Sequence, residues 1–202
     1  MSHPKLVPTK HPVHDLIARR WSPYAFADRM PPDAELRSLF EAARWAPSSY
    51  NEQPWRYIVA TRADAAAFEV ALSCLVEGNR VWARFAPVLA FGCTSLSLAR
   101  TGKPNAAAQH DLGLASASLT LEATARGLYV HQMIGILPER VREAYGVPAG
   151  VEPLTGLAIG YLADPATLPE ALRPRDAAPR TRKELPEFVF GGTFGRPATW
   201  LG

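Results

Sequence analysis

The sequence predicts a single α+β domain built on a mixed sheet. Three observations carry that reading. Strand-like and helix-like segments alternate along the chain with no internal repeat, which is the pattern of layered α+β and mixed-sheet domains. The strand candidates are few, which disfavours a fully parallel doubly wound sheet. The 19 prolines among 202 residues are uneven, with six in residues 1–32, six in 165–197 and seven between. That is about 9%, against ~5% in average proteins. Proline lacks an N–H and fixes φ, so it breaks helices and central strands. The chain therefore reads as one compact domain with an N-terminal arm, residues 1–13, and an extended C-terminal arm, residues 164–202.

The elements follow in order. Leu36, Leu39, Phe40 and Ala43 recur at helical spacing, so Asp33 to Trp45 reads as a helix between Pro32 and Pro47. Trp55 to Thr61 is rich in β-formers and reads as a strand. Ala63 to Glu77 reads as a helix, and Val88 to Gly92 as a buried strand behind Pro87. Asn105 to Arg126 is the longest helix; between Leu112 and Ala125 its only charge is Glu122. A helix apolar nearly all round is expected to be buried all round, and Ala115, Ser116, Ala117 and Ser118 would let another backbone approach closely. Gly127 suits the left-handed position after it. Tyr129 to Met133 reads as a strand, Pro138 to Gly146 brackets a short helix, and Leu154 to Leu162 reads as a buried strand. After Asp164 no periodicity persists.

Composition excludes several classes. Apolar residues make up 48%, enough for a packed core without staples. No apolar run approaches a membrane span, and the polar, proline-broken start is no secretory signal. Cys74 and Cys93 have no metal or redox spacing, and two cysteines point to a reducing cytoplasm. A net charge of +3 without a basic, aromatic-interleaved stripe argues against nucleic acid. No Gly-x-Gly-x-x-Gly, P-loop, nucleophile elbow or zinc pair occurs. His11 and His14 read as a solvated terminus, His110 and His131 as ordinary structural residues, and Gly191-Gly192 as a turn. No metal site is expected.

Two segments carry chemistry. Arg19-Arg20-Trp21-Ser22 offers two arginines and a hydroxyl, the chemistry of a phosphate clamp. In Ala46-Pro47-Ser48-Ser49-Tyr50-Asn51-Glu52-Gln53-Pro54-Trp55 a helix ends at Pro47 and a loop of hydroxyls and an amide precedes a strand. Such a loop suits a polar planar ligand. Each alone is unspecific. In this order they resemble the nitroreductase family of FMN-dependent oxidoreductases, from about His14 to Phe190. Weaker likenesses accompany them: Gly78-Asn79-Arg80-Val81-Trp82 before Ala86-Pro87-Val88, the helix from Asp111 to Gly127, Met133-Ile134-Gly135, and Arg180-Thr181-Arg182-Lys183-Glu184-Leu185.

The resemblance implies a mainly antiparallel sheet flanked by helices, with the C-terminal arm exchanged in a homodimer. It implies an FMN site. Arg20, Trp21 and Ser22 would hold the phosphate and flavin edge, with Arg180 and Arg182 completing the clamp. Pro47, Ser48, Ser49 and Asn51 would line the ring and ribityl chain from the other subunit. Asn79 would bond the pyrimidine end, and Ile134 and Gly135 would bring backbone groups near N5. Three residues depart from the family pattern. Tyr24 stands where many members have a basic residue, so the clamp would lean on Arg19. Trp82 replaces a common lysine, implying a more apolar flavin pocket, and Ile134 replaces a glutamate.

The activity implied is ping-pong hydride transfer from NADH or NADPH through FMN to a small planar electron acceptor such as a nitroaromatic or quinone. The cofactor does the chemistry, so no catalytic side chain is assigned. Rival readings are an FMN storage or delivery protein, a flavin enzyme of this fold with other chemistry (dehalogenation or flavin fragmentation), and a cofactor-free interaction protein. A monomer would not readily bury both the long helix and the arm, which favours the homodimer.

Overall fold

Strands β1 (Trp55–Thr61), β2 (Val88–Ser95), β3 (Tyr129–Met133) and β4 (Val151–Gly160) form one sheet in the order β1-β2-β4-β3. The computed structural model describes residues 5–7 and 9–201; residues 1–4 and 8 of the N-terminal arm and residue 202 of the C-terminal arm lie outside the described residues. All three ladders are antiparallel, and one register row crosses the sheet as Ile58, Phe91, Gly156 and Met133. β2 is central and buried from Val88 to Thr94, which explains its unbroken apolar run.

Two strands differ from the sequence expectation. β2 continues to Ser95 rather than ending at Gly92, and β4 starts at Val151 rather than Leu154 and ends at Gly160 rather than Leu162. Pro153 reads as a breaker, yet it lies in β4 opposite Cys93, where the register shifts. A bulge is one of the few places a sheet tolerates proline.

Helices cover both faces. They are α1 (Asp15–Arg19), α2 (Asp33–Arg44), α3 (Ala65–Ser73), α4 (Glu77–Ala83), α5 (Ala108–Ala125), α6 (Pro138–Tyr145) and α7 (Arg173–Ala177). Side chains alternate along a strand. Val88, Ala90, Leu157 and Ile159 pack under α2 and α5; Leu89, Phe91, Cys93 and Ala158 pack with α3, α4 and α6. The expected single helix from Ala63 to Glu77 is two. The Asp64 carboxylate caps α3, accepting the Ala67 N–H at 3.0 Å. The chain then breaks at Leu75, which bridges Ile136, before α4 begins. α6 ends on Gly146, whose φ of 63° is left-handed.

α5 departs from the expectation of burial on every side. Leu112, Ala115, Leu119 and Ala123 are sealed against the sheet, but Gly113 and Ala117 are exposed and Leu114, Ser118 and Leu121 half-buried. Its buried hydroxyls bond back one turn, Thr120 to the Ser116 carbonyl at 2.7 Å and Thr124 to the Thr120 carbonyl at 2.9 Å. The Tyr57 hydroxyl meets Ser116 Oγ at 2.9 Å, and burial pushes its pKa up to about 12.

The C-terminal arm is not featureless. Leu168 and Leu172 enter the core and α7 carries the buried Asp176, so the arm docks on its own domain to about residue 177. Beyond it Phe188, Phe194 and Trp200 are exposed. Among the described residues no helix is long and apolar enough to cross a membrane.

Candidate functional site

The chain leaves α1 at Arg20, whose extended backbone (φ −60°, ψ 127°) turns the following residues across the start of β3. The Trp21 indole is buried and meets Tyr129 edge-on, with centroids 6.4 Å apart. Arg20 donates from Nη1 to Ser22 Oγ at 3.3 Å. The Tyr24 N–H donates to the buried Asp176 carboxylate at 2.7 Å, locking α7 to this turn. Arg180 then spans both arms, its Nη1 donating to the Lys5 carbonyl at 2.9 Å and the Ala18 carbonyl at 2.7 Å. Together they enclose a pocket of about 230 Å³ into which Arg20, Arg175, Arg180 and Arg182 face with Trp21 and Ser22.

Among the described residues none of the four arginines is ion-paired with a carboxylate, although the buried Asp176, which accepts the Tyr24 N–H, also lines the pocket. Burial, and then the Arg182 charge, lower the Arg20 pKa; burial, Arg20 and Arg182 do the same to Arg180. Like charges brought together in a partly dry site are held at a cost unless an anion joins them. The Trp21 Nε1–H is buried with no partner. A donor-lined, positively charged recess with an orphaned N–H fits a phosphate group.

A second group lies at the other end of β3. The Gly135 carbonyl accepts from the Val76 N–H at 3.1 Å and from Asn79 Nδ2 at 3.0 Å. A Cβ at Gly135 would overlap Asn79 Nδ2 and approach Val76 Cγ2 to 2.9 Å, so only glycine allows this contact. Ile134 points outward beside it and is 72% exposed.

The third group stands apart. Pro47, Ser48, Ser49 and Asn51 precede β1, at the opposite edge of the sheet from β3. Three strand spacings, roughly 14 Å, separate those edges. The loop is tightly built. The Ser49 N–H donates to Asp111 at 3.0 Å, the Gln53 N–H to Ser48 Oγ at 3.0 Å, and Gln53 Nε2 to the Asn51 carbonyl and Oδ1 at 3.1 Å each. Tyr50, Asn51 and Gln53 all have φ near +50° (53°, 56° and 48°), a conformation that non-glycine residues hold only when their surroundings enforce it.

Two sequence expectations are corrected. Trp82 does not line an open pocket: its indole is 1% exposed, stacked on His131 at 4.3 Å and edge-on to Tyr24 at 5.1 Å. Arg19 does not replace the missing base at Tyr24, because it pairs with Asp15 at 3.1 Å and stays out of the pocket. Arg175 lines the pocket instead, Asp176 holds the turn at Tyr24, and Asp111 holds the loop at Ser49. Sequence reading missed all three. The basic run Arg173-Pro174-Arg175 was the one available signal; nothing in the sequence linked Asp111 to Ser49.

A larger depression of about 470 Å³ lies between α2 and α5. Its charges satisfy one another, Glu122 and Glu35 pairing with Arg126 and Glu41 with Arg44, so it has no anion-binding character.

The sequence model described as the nitroreductase family matches residues 17–161. A crystal structure described as an oxidoreductase containing FMN superposes with a TM-score of 0.88 and 35% identity, covering 96% of this chain and 98% of that one. An uncharacterised 15.4 kDa protein of Mycolicibacterium smegmatis is 40% identical over 152 residues, 70% of this chain and 99% of its own length. A Streptomyces coelicolor protein provisionally named NADH dehydrogenase/NAD(P)H nitroreductase is 43% identical over 67 residues, 33% of this chain and 32% of its own.

Proposed function

The chain belongs to the nitroreductase family, and we propose that it is an FMN-dependent oxidoreductase working as a homodimer. The observation that carries this is the arginine pocket at the start of β3 with its unpartnered Trp21 Nε1–H. Bound there, FMN would supply hydride-transfer chemistry between NADH or NADPH and a small flat acceptor such as a nitroaromatic or quinone.

The protein's part is to bind, orient and exclude water. Arg20, Ser22, Arg180 and Arg182 would hold the phosphate, and Trp21 the flavin edge. At the far end of β3 both lone pairs of the Gly135 carbonyl are taken. What the turn at Ile134 and Gly135 offers a ring is therefore its N–H groups. Asn79 has donated its amide to Gly135 and keeps Oδ1 as an acceptor for a ring N–H. Ile134 brings no charge there, so the reacting edge is apolar. No side chain acts as nucleophile or general acid.

The separation of the Ser48–Asn51 loop from the pocket supports a homodimer. Ser48, Ser49 and Asn51 belong to the site but lie a sheet-width from the pocket in their own chain, so the partner's loop would complete it. The exposed strip of Gly113 and Ala117 on α5 and the exposed Phe194 and Trp200 of the arm support such an interface. The arm beyond α7 would be the exchanged segment. The two buried, free cysteines suit a reducing cytoplasm.

The purified protein should be yellow and release FMN. Anaerobic NADH or NADPH should bleach it. A protein that binds no FMN sinks this reading; one that binds FMN but bleaches with neither nucleotide favours storage or another chemistry.

A further inference from the structure

We propose that Lys5, in the N-terminal arm ahead of every residue the family model matches, is a further phosphate-binding residue of this site; this rests on the FMN reading above. Lys5 lines the same pocket as Arg20, Arg180 and Arg182. Its ammonium donates to the Ala178 carbonyl at 2.6 Å and stands 5.3 Å over the Trp21 ring. Its own carbonyl takes the Arg180 guanidinium at 2.9 Å. The Val7 N–H reaches the Ala18 carbonyl at 3.4 Å, and Lys10 pairs with Glu184 at 2.6 Å.

The described residues of the arm are therefore laid over the pocket, Val7 tied to α1 and Lys5 and Lys10 to the C-terminal arm. An ammonium brought to arginines that already repel one another adds, at a cost, to a like charge that the one lining carboxylate, Asp176, does not balance. A phosphate dianion reverses the sign of that cost, because each cation then gains an attractive partner in a partly dry site. An ammonium has three donors to distribute, so it can keep the Ala178 carbonyl and still turn one donor toward a phosphate oxygen. The bland alternative is that Lys5 merely ties the arms together. It differs in one respect: a tie is indifferent to whether the ligand carries a phosphate.

The experiment titrates wild type, Lys5→Ala and Lys10→Ala with FMN and with riboflavin, which lacks the phosphate, following quenching of flavin fluorescence. Lys10→Ala cuts another arm-to-arm tie without removing a pocket cation. One charge-assisted contact corresponds to a loss on the order of tenfold or more. Lys5→Ala is expected to lose that much affinity for FMN while its riboflavin affinity stays within about twofold, and Lys10→Ala is expected to match wild type. A selective loss below about fivefold, an equal loss for both flavins, or the same selective loss in Lys10→Ala overturns the proposal while leaving FMN binding intact. A wild type that binds no FMN overturns the cofactor reading itself, and this proposal with it.

Discussion

The Asp111 carboxylate, in the first turn of α5, accepts the backbone N–H of Ser49 at 3.0 Å, joining residues 62 apart in sequence. It is 1% exposed and sits where the helix dipole favours negative charge. Removing it leaves a strained loop without its main tether. Asp111→Ala should cost about 1.5–3 kcal/mol in urea unfolding at fixed protein concentration, and Asp111→Asn less. An unchanged midpoint for Asp111→Ala would mean the loop holds itself.

Arg20→Ala should weaken FMN binding by at least about tenfold, the loss of one charge-assisted contact. Arg29→Ala is the control, since Arg29 stacks on Tyr161 at 4.0 Å outside the pocket and should leave FMN affinity unchanged. Equal affinities of the two variants would show that the phosphate lies elsewhere.

Gly135→Ala forces its new methyl into Asn79. It should weaken flavin binding and lower the Tm, and most of that cost should vanish in an Asn79→Ala background. Contacting residues show such non-additivity, typically of about 0.5–3 kcal/mol. Strictly additive effects would mean that the two residues are not in contact.

His131 sets a pH dependence. Burial lowers its pKa, outweighing the Pro23 carbonyl that takes its Nδ1 at 2.8 Å and the Asp176 charge. Above pH ~6.5 the imidazole is neutral both folded and unfolded and adds no slope. Below it the unfolded chain takes up the proton first, so stability falls as pH drops toward the folded-state pKa. Urea midpoints should decline as pH falls from ~6.5 to ~5.5, and His131→Gln should flatten that decline whatever it does to the midpoint at neutral pH. The same slope in the variant would assign the effect to another group.

Ala117→Glu puts a charge on the exposed strip of α5 while touching no pocket residue. If the partner's loop completes the site, sedimentation should show a monomer, with flavin affinity lost alongside. A variant that stays dimeric and yellow would move the interface off α5.

The fold was legible where one local signal ruled. Trp55–Thr61, Tyr129–Met133 and Pro138–Tyr145 have the bounds that alternation, a preceding left-handed glycine and an N-terminal proline announce. It was illegible where a neighbour overruled the signal. Pro153 sits in a strand because the register shifts beside it, leaving Leu154 of β4 without a partner on β2, and the Ala63–Glu77 helix splits because Leu75 is drawn to Ile136. Of the site, Arg20, Ser22, Arg180 and Arg182 could be named from sequence because their chemistry is local to short segments. Trp82 was misread because an indole beside a functional loop serves equally well in the core, and only its stacking on His131 decides.

By itself the sequence determined the family, the layered α+β architecture and the cationic residues, because side-chain chemistry and short-range periodicity are written into neighbouring positions. Tertiary structure alone decided that Arg175 rather than Arg19 joins the pocket, that Asp176 holds the turn beside it and Asp111 the distant loop at Ser49, and that Lys5 arrives from an arm 175 residues away from the Arg180 that holds it. It also set the loop at Ser48–Asn51 apart from the pocket, across the width of the sheet. Those outcomes depend on which strand lies at which edge and on which distant backbone group a buried charge must satisfy. Both are fixed only when the whole chain has packed.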